Sequence, residues 1–106
     1  MARGIVFAPA RAKRGERIEI RASVQHPMET GHRADGEGNT VPRDIVRRVE
    51  CRWAGELVFA ADLFPAVAAN PYLAFHVIAT VGGPLTMRWL GDKGFEVSET
   101  VRVEVV

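Results

Sequence analysis

Arg17-Ile18-Glu19-Ile20-Arg21-Ala22-Ser23-Val24 is the stretch that decides the fold. Ile18, Ile20, Ala22 and Val24 fall on one parity, and Arg17, Glu19, Arg21 and Ser23 on the other. A period of two marks a strand with one face in a core and one in water. Pro27 has no N–H to give to a ladder and ends the strand. Towards the N-terminus, Gly4-Ile5-Val6-Phe7-Ala8 forms a short first strand closed by Pro9, and Arg11 to Gly15 reads as a basic turn.

Downstream the same period returns. Ile45–Trp53 places Val49, Cys51 and Trp53 on one face, and Ala54-Gly55 is a hairpin turn. Leu57, Phe59 and Ala61 then alternate with Glu56, Val58 and Ala60. Tyr72–Val81 carries Leu73, Phe75, Val77 and Ala79 on one side and Ala74 and Ile78 on the other, the pattern of a strand buried on much of both faces. Gly82-Gly83-Pro84 turns the chain into Leu85, Met87 and Trp89, which alternate with Thr86 and Arg88. After a turn at Gly91-Asp92-Lys93-Gly94, Phe95 and Val97 lead to Val101, Val103 and Val105. About seven short strands without a helical period predict an all-β, immunoglobulin-like β-sandwich, one domain over residues 1–106. The Cys…Trp…Cys spacing of antibody domains is absent, so the architecture alone is implied.

Two connections stand out. Residues 28–42 form a polar loop rich in turn formers (Gly31, Gly36, Gly38, Asn39) and closed by Pro42. A loop of that length in a compact domain is usually functional or disordered. Asp62 to Pro71 is the second, and its Ala66–Ala69 centre is expected to form a single helical turn.

Bulk properties exclude several function classes. A chain of 106 residues buries a core without metal or disulfide support. The net charge of +1 gives no global attraction to nucleic acid or membrane. Residues 63–87 carry no charged side chain, yet Pro65, Pro71 and Pro84 would break a membrane helix. The single cysteine, Cys51, excludes an internal disulfide. The first residues, Met1 to Ala12, contain Arg3 and are too short and mixed for a secretory signal.

Chemistry is thinly represented. Cys51 shares a strand face with Val49 and Trp53, the setting of a small core hydrophobe rather than a thiolate nucleophile. Ser23 and Ser98 sit at strand positions with no nucleophile elbow. His26 and His32 flank Glu29 in a loop, without the paired spacing of a zinc site, so the histidines are expected to structure the loop or face solvent, with no metal and no cofactor. Gly36-Glu37-Gly38 is followed by neither a basic residue nor a helix start, as a phosphate loop requires. What remains is apolar residues at loops and strand starts: Met28, Phe64, Pro65, Val67 and Tyr72. They form either a small core under the loops or a partner interface, where Met and aromatic residues are enriched.

Several phrases in order and spacing carry a resemblance. They are His26-Pro27-Met28-Glu29-Thr30-Gly31, Pro42-Arg43-Asp44-Ile45, Gly55-Glu56-Leu57-Val58-Phe59, Ala61-Asp62-Leu63-Phe64-Pro65-Ala66 and Ala69-Asn70-Pro71-Tyr72-Leu73-Ala74-Phe75. Together they resemble the SoxZ family, the non-catalytic half of the SoxYZ carrier in bacterial sulfur oxidation. The resemblance implies a sandwich that binds a SoxY-like subunit, whose C-terminal cysteine arm carries sulfur intermediates during thiosulfate oxidation. It also implies transient contact with SoxAX, SoxB and SoxCD, and a periplasmic location reached by co-export with SoxY. The expected partner-binding residues are His26, Met28, Glu29, Phe64, Asn70, Tyr72 and Phe75. In the His26–Gly31 loop, Met28 would pack against a mobile arm and Glu29 would accept its backbone N–H groups. The alternative is a generic sandwich that homo-oligomerises through the same patch, and a third reading is an enzyme using Cys51 or a His26/His32 metal.

Overall fold

A computed structural model describes residues 3–106, and its regular structure is strand apart from one 3-10 turn at Asp92–Gly94. The strands are β1 (Gly4–Phe7), β2 (Arg11–Ala12), β3 (Arg17–Val24), β4 (Val46–Trp53), β5 (Glu56–Asp62), β6 (Tyr72–Ile78), β7 (Gly83–Gly91) and β8 (Glu96–Val105). They build a three-stranded sheet in the order β1-β3-β6 and a five-stranded sheet in the order β2-β8-β7-β4-β5. All pairs are antiparallel except β2 with β8. This is the predicted sandwich.

Local chemistry explains the joints. Ala54 and Gly55 both take positive φ (51° and 85°), as a two-residue turn must to match the right-handed twist of β4 and β5. The basic turn expected at Arg11 to Gly15 begins instead as β2, with Arg11 opposite Glu104 and Ala12 opposite Val105. Two residues are too few to show a period. The helical turn expected at Ala66–Ala69 is a β-turn two residues earlier, in which the Val67 N–H donates to the Phe64 carbonyl at 3.0 Å.

The core lies between the sheets. Ile18, Ile20, Ala22 and Val24 from β3 join Val49, Cys51 and Trp53 from β4 and Leu85, Met87 and Trp89 from β7. Cys51 is fully buried, and burial pushes its thiol pKa up to about 12. That is the opposite of an activated nucleophile.

β6 departs from expectation. Phe75 and Val77 are buried, but Tyr72, Ala74, His76 and Ile78 are exposed. The strand is the edge of its sheet and only one face is covered.

The molecule is long, 58 × 21 × 17 Å. Hydrogen bonds among residues 26–45, residue 70 and residues 91–95 gather three connections at one end.

Candidate functional site

That loop end is built around the stop of β3. Pro27 ends the ladder, and Met28 turns the chain through φ 53°. The turn sends the Met28 side chain inward rather than to the surface, correcting the expected exposure. Met28 is buried, and its Sδ accepts a hydrogen bond from the Val46 N–H at 3.1 Å.

His26 is buried beside it. Its Nδ1 accepts from the Met28 N–H at 2.9 Å, which leaves the ring hydrogen of a neutral imidazole on Nε2. Nε2 lies 3.4 Å from an Asp44 carboxylate oxygen. The ring meets Phe95 edge-on, with centroids 4.7 Å apart. His26 therefore structures the loop, one of the two roles expected of it.

Two of the five phrases quoted from the sequence, the one that begins at His26 and the one that begins at Ala69, are clipped together. Asn70 Oδ1 accepts from the His26 N–H at 2.9 Å, and the Asn70 N–H donates to the His26 carbonyl at 2.7 Å. Asn70 has φ 53°, a conformation Asn tolerates better than most residues. Gln25, His26, Pro27, Asp44, Ala69, Asn70 and Phe95 line a solvent-open depression of about 590 Å³ over this clip.

Glu29 is already engaged. Its backbone pairs with Asp44 through bonds of 2.8 and 2.9 Å. Its carboxylate takes a bidentate pair from Arg33, at 3.1 and 2.8 Å, which holds its pKa below the usual carboxylate value. A peptide arm would have to compete with Arg33 for those oxygens.

Asp92 organises the neighbouring turn, a role the sequence did not disclose. One oxygen accepts the Ile45 N–H at 3.2 Å, and the other meets Arg43 at 3.0 Å and Arg47 at 3.1 Å. Burial pushes the Asp92 carboxyl up, but the Ile45 N–H and the two guanidinium groups pull it net below its ordinary value. Asp44 and Phe95 were missed as well. Asp44 stood in a phrase already singled out, and its distance from His26 in sequence hid the pairing.

The remaining expected residues lie elsewhere. Phe64 is 66% exposed and borders a depression of about 280 Å³ with Arg43, Arg47 and Arg48. Tyr72 is exposed on the outer face of the three-stranded sheet. Phe75 is buried and stacks on Phe59, centroids 4.0 Å apart, so it supports a surface without belonging to one. His32 is exposed while His26 is buried, and among the described residues no group of three or more His, Cys, Asp or Glu stands ready for a metal ion. The arrangement fixes loops and walls a depression, which is the chemistry of binding.

A family model described as "Sulphur oxidation protein SoxZ" matches residues 5–102. No curated protein matches the chain. Among solved structures, the superoxide reductase (neelaredoxin) of Ignicoccus hospitalis superposes with a TM-score of 0.71 at 15% identity, over 97% of this chain and 80% of that one. A putative superoxide reductase from Thermotoga maritima gives 0.66 at 15% identity, over 97% and 85%. At such identity the likeness is one of fold alone.

Proposed function

The chain belongs to the SoxZ family, and from that premise we propose that it is the scaffold half of a sulfur carrier. It binds a SoxY-like subunit, and the cysteine that bears sulfur intermediates in thiosulfate oxidation is supplied by that subunit. The match over residues 5–102 carries this reading. The state of Cys51 supports the division of labour. A thiol buried in the core with a pKa of about 12 is unsuited to loading and unloading cargo.

The loop end would then guide the partner's arm. His26 and Asn70 hold the depression in shape through their clip, and Pro27, Ala69 and Phe95 give it apolar walls. Enzymes such as SoxAX, SoxB and SoxCD would meet the carrier transiently around this end. The site of action would be the periplasm, reached together with the SoxY-like subunit.

The test is reconstitution. Purified chain mixed with a SoxY-like subunit should give a one-to-one complex by native mass spectrometry, and sulfur oxidation by the assembled enzymes should depend on it. Failure to form the complex, with both chains folded, would remove the reading.

A further inference from the structure

The outer faces of the two sheets are unlike. On the five-stranded sheet the outward side chains pair with one another. Arg48 meets Glu50 and Asp62, Arg88 meets Glu96, and Thr86 hydrogen-bonds Thr100 at 2.8 Å. On the three-stranded sheet, the register sets Ile5, Ser23 and Tyr72 in one row, and Phe7, Arg21 and Ala74 in the next. Ile5 is 44% exposed, Phe7 61% and Tyr72 63%, with Ile78 exposed further along β6. β6 thus has the apolar pattern of a doubly buried strand and only one face covered.

From this contrast we infer that the outer face of the three-stranded sheet is where the SoxY-like subunit seats, and that the surface this partner brings is apolar with an acidic rim. The inference rests on the proposed function. Taking aromatic side chains at about 200 Å² each, the exposed parts of Ile5, Phe7, Tyr72 and Ile78 amount to roughly 400 Å². That is half of what one partner gives to a standard interface, and arginine stems between them add more. A notch of about 400 Å³ beside Phe7, lined also by Ala8, Pro9, Glu19 and Arg21, offers a seat for one anchoring side chain.

Charge selects the occupant. Arg17 and Arg21 point outward on β3, and Arg3 is exposed just before β1. Against them stands Glu19, which is shared between Arg21 at 3.5 Å and His76 at 3.8 Å. Among the described residues Arg17 has no carboxylate within ion-pair distance. A two-fold dimer would set this cationic excess against itself. A partner with an acidic rim would be drawn in and held in register.

Titration calorimetry against the SoxY-like subunit, with circular dichroism on each variant, tests this. Phe7→Ala and Tyr72→Ala lie on different strands, and each should weaken binding at least tenfold. Arg17→Glu should weaken it several-fold and flatten its salt dependence. Arg88→Ala, on the other sheet, should leave affinity unchanged. If the wild-type chain binds and both aromatic variants bind equally well, the surface assignment falls and the SoxZ-type function stands. If the wild-type chain does not bind, the function falls and takes the assignment with it. Self-association of the wild type that Phe7→Ala abolishes would give the face to a second copy and overturn the proposal.

Discussion

The outer face of the five-stranded sheet and that of the three-stranded sheet come from the same alternating chemistry but end in different states. On the larger sheet, most outward positions hold ion pairs and a threonine pair, and Leu57 is the one large apolar side chain left in solvent among its described strand residues. On the smaller sheet, rows such as Ile5–Ser23–Tyr72 leave apolar side chains in solvent with no loop folded over them. A face that lacks a solvent-side solution is one that expects a cover. The contrast also separates two tasks: the larger sheet gives more of the core than the smaller one and keeps a largely polar exterior, while the smaller sheet is left to meet another chain.

The contrast is tested most severely within β6. Phe75→Ala should destabilise the fold by about 4 kcal/mol in urea unfolding, because the ring is buried against Phe59. Tyr72→Ala, on the opposite face of the same strand, should change stability by no more than about 0.5 kcal/mol. Equal costs would mean the outer face is packed. Next in size is Met28→Ala, expected to cost about 3 kcal/mol for a buried methionine. A melting curve unchanged by that substitution would put the side chain outside the core. Asn70→Ala removes the acceptor of the His26 N–H and should cost about 1–2 kcal/mol. Asn70→Gly loses that acceptor too but fits the positive φ, so it should recover part of the loss.

Cys51 gives a signal of another kind, a pH dependence, from beneath the larger sheet. Its folded pKa, about 12, lies above the ordinary 9.0, so between these values the folded chain holds the proton that the unfolded chain releases. Stability must therefore fall as pH rises from 9.0 towards 12. Cys51→Ala should show a shallower fall than wild type, and identical slopes would show that the thiol is not shielded. The smallest effect belongs to the larger sheet's exterior. Arg88→Ala should leave the unfolding midpoint and the partner affinity within error, since exposed pairs contribute little. A clear loss of affinity there would reverse the assignment of the two faces.

Much of the fold was legible because burial and parity agree. Val49-Cys51-Trp53 and Ile18-Ile20-Ala22-Val24 could only face a core, and they do. The double apolar pattern of β6 was read as double burial, because a sequence does not distinguish a neighbouring layer of its own chain from one supplied by a partner. β1 hid its outer face in the same way, since Ile5, Val6 and Phe7 are all apolar and show no period. At the loop end, the stretches that hold His26, Met28, Glu29 and Asn70 do meet in space, but the directions of their side chains were not legible. A left-handed residue such as Met28 reverses the side-chain parity that its neighbours suggest. Asp44 and Asp92 were missed because their partners, His26, Arg43 and Arg47, are set by tertiary structure.

Hydroxyl-radical footprinting of the unmodified chain, alone and with the SoxY-like subunit, tests the central claim most directly. Phe7 and Tyr72 are exposed in the free chain and should oxidise readily, then become protected on complex formation. Leu57 and Phe64, exposed but off the three-stranded sheet's outer face, should show the smaller change. Protection confined to Leu57 and Phe64, with Phe7 and Tyr72 still oxidised in the complex, would contradict the account.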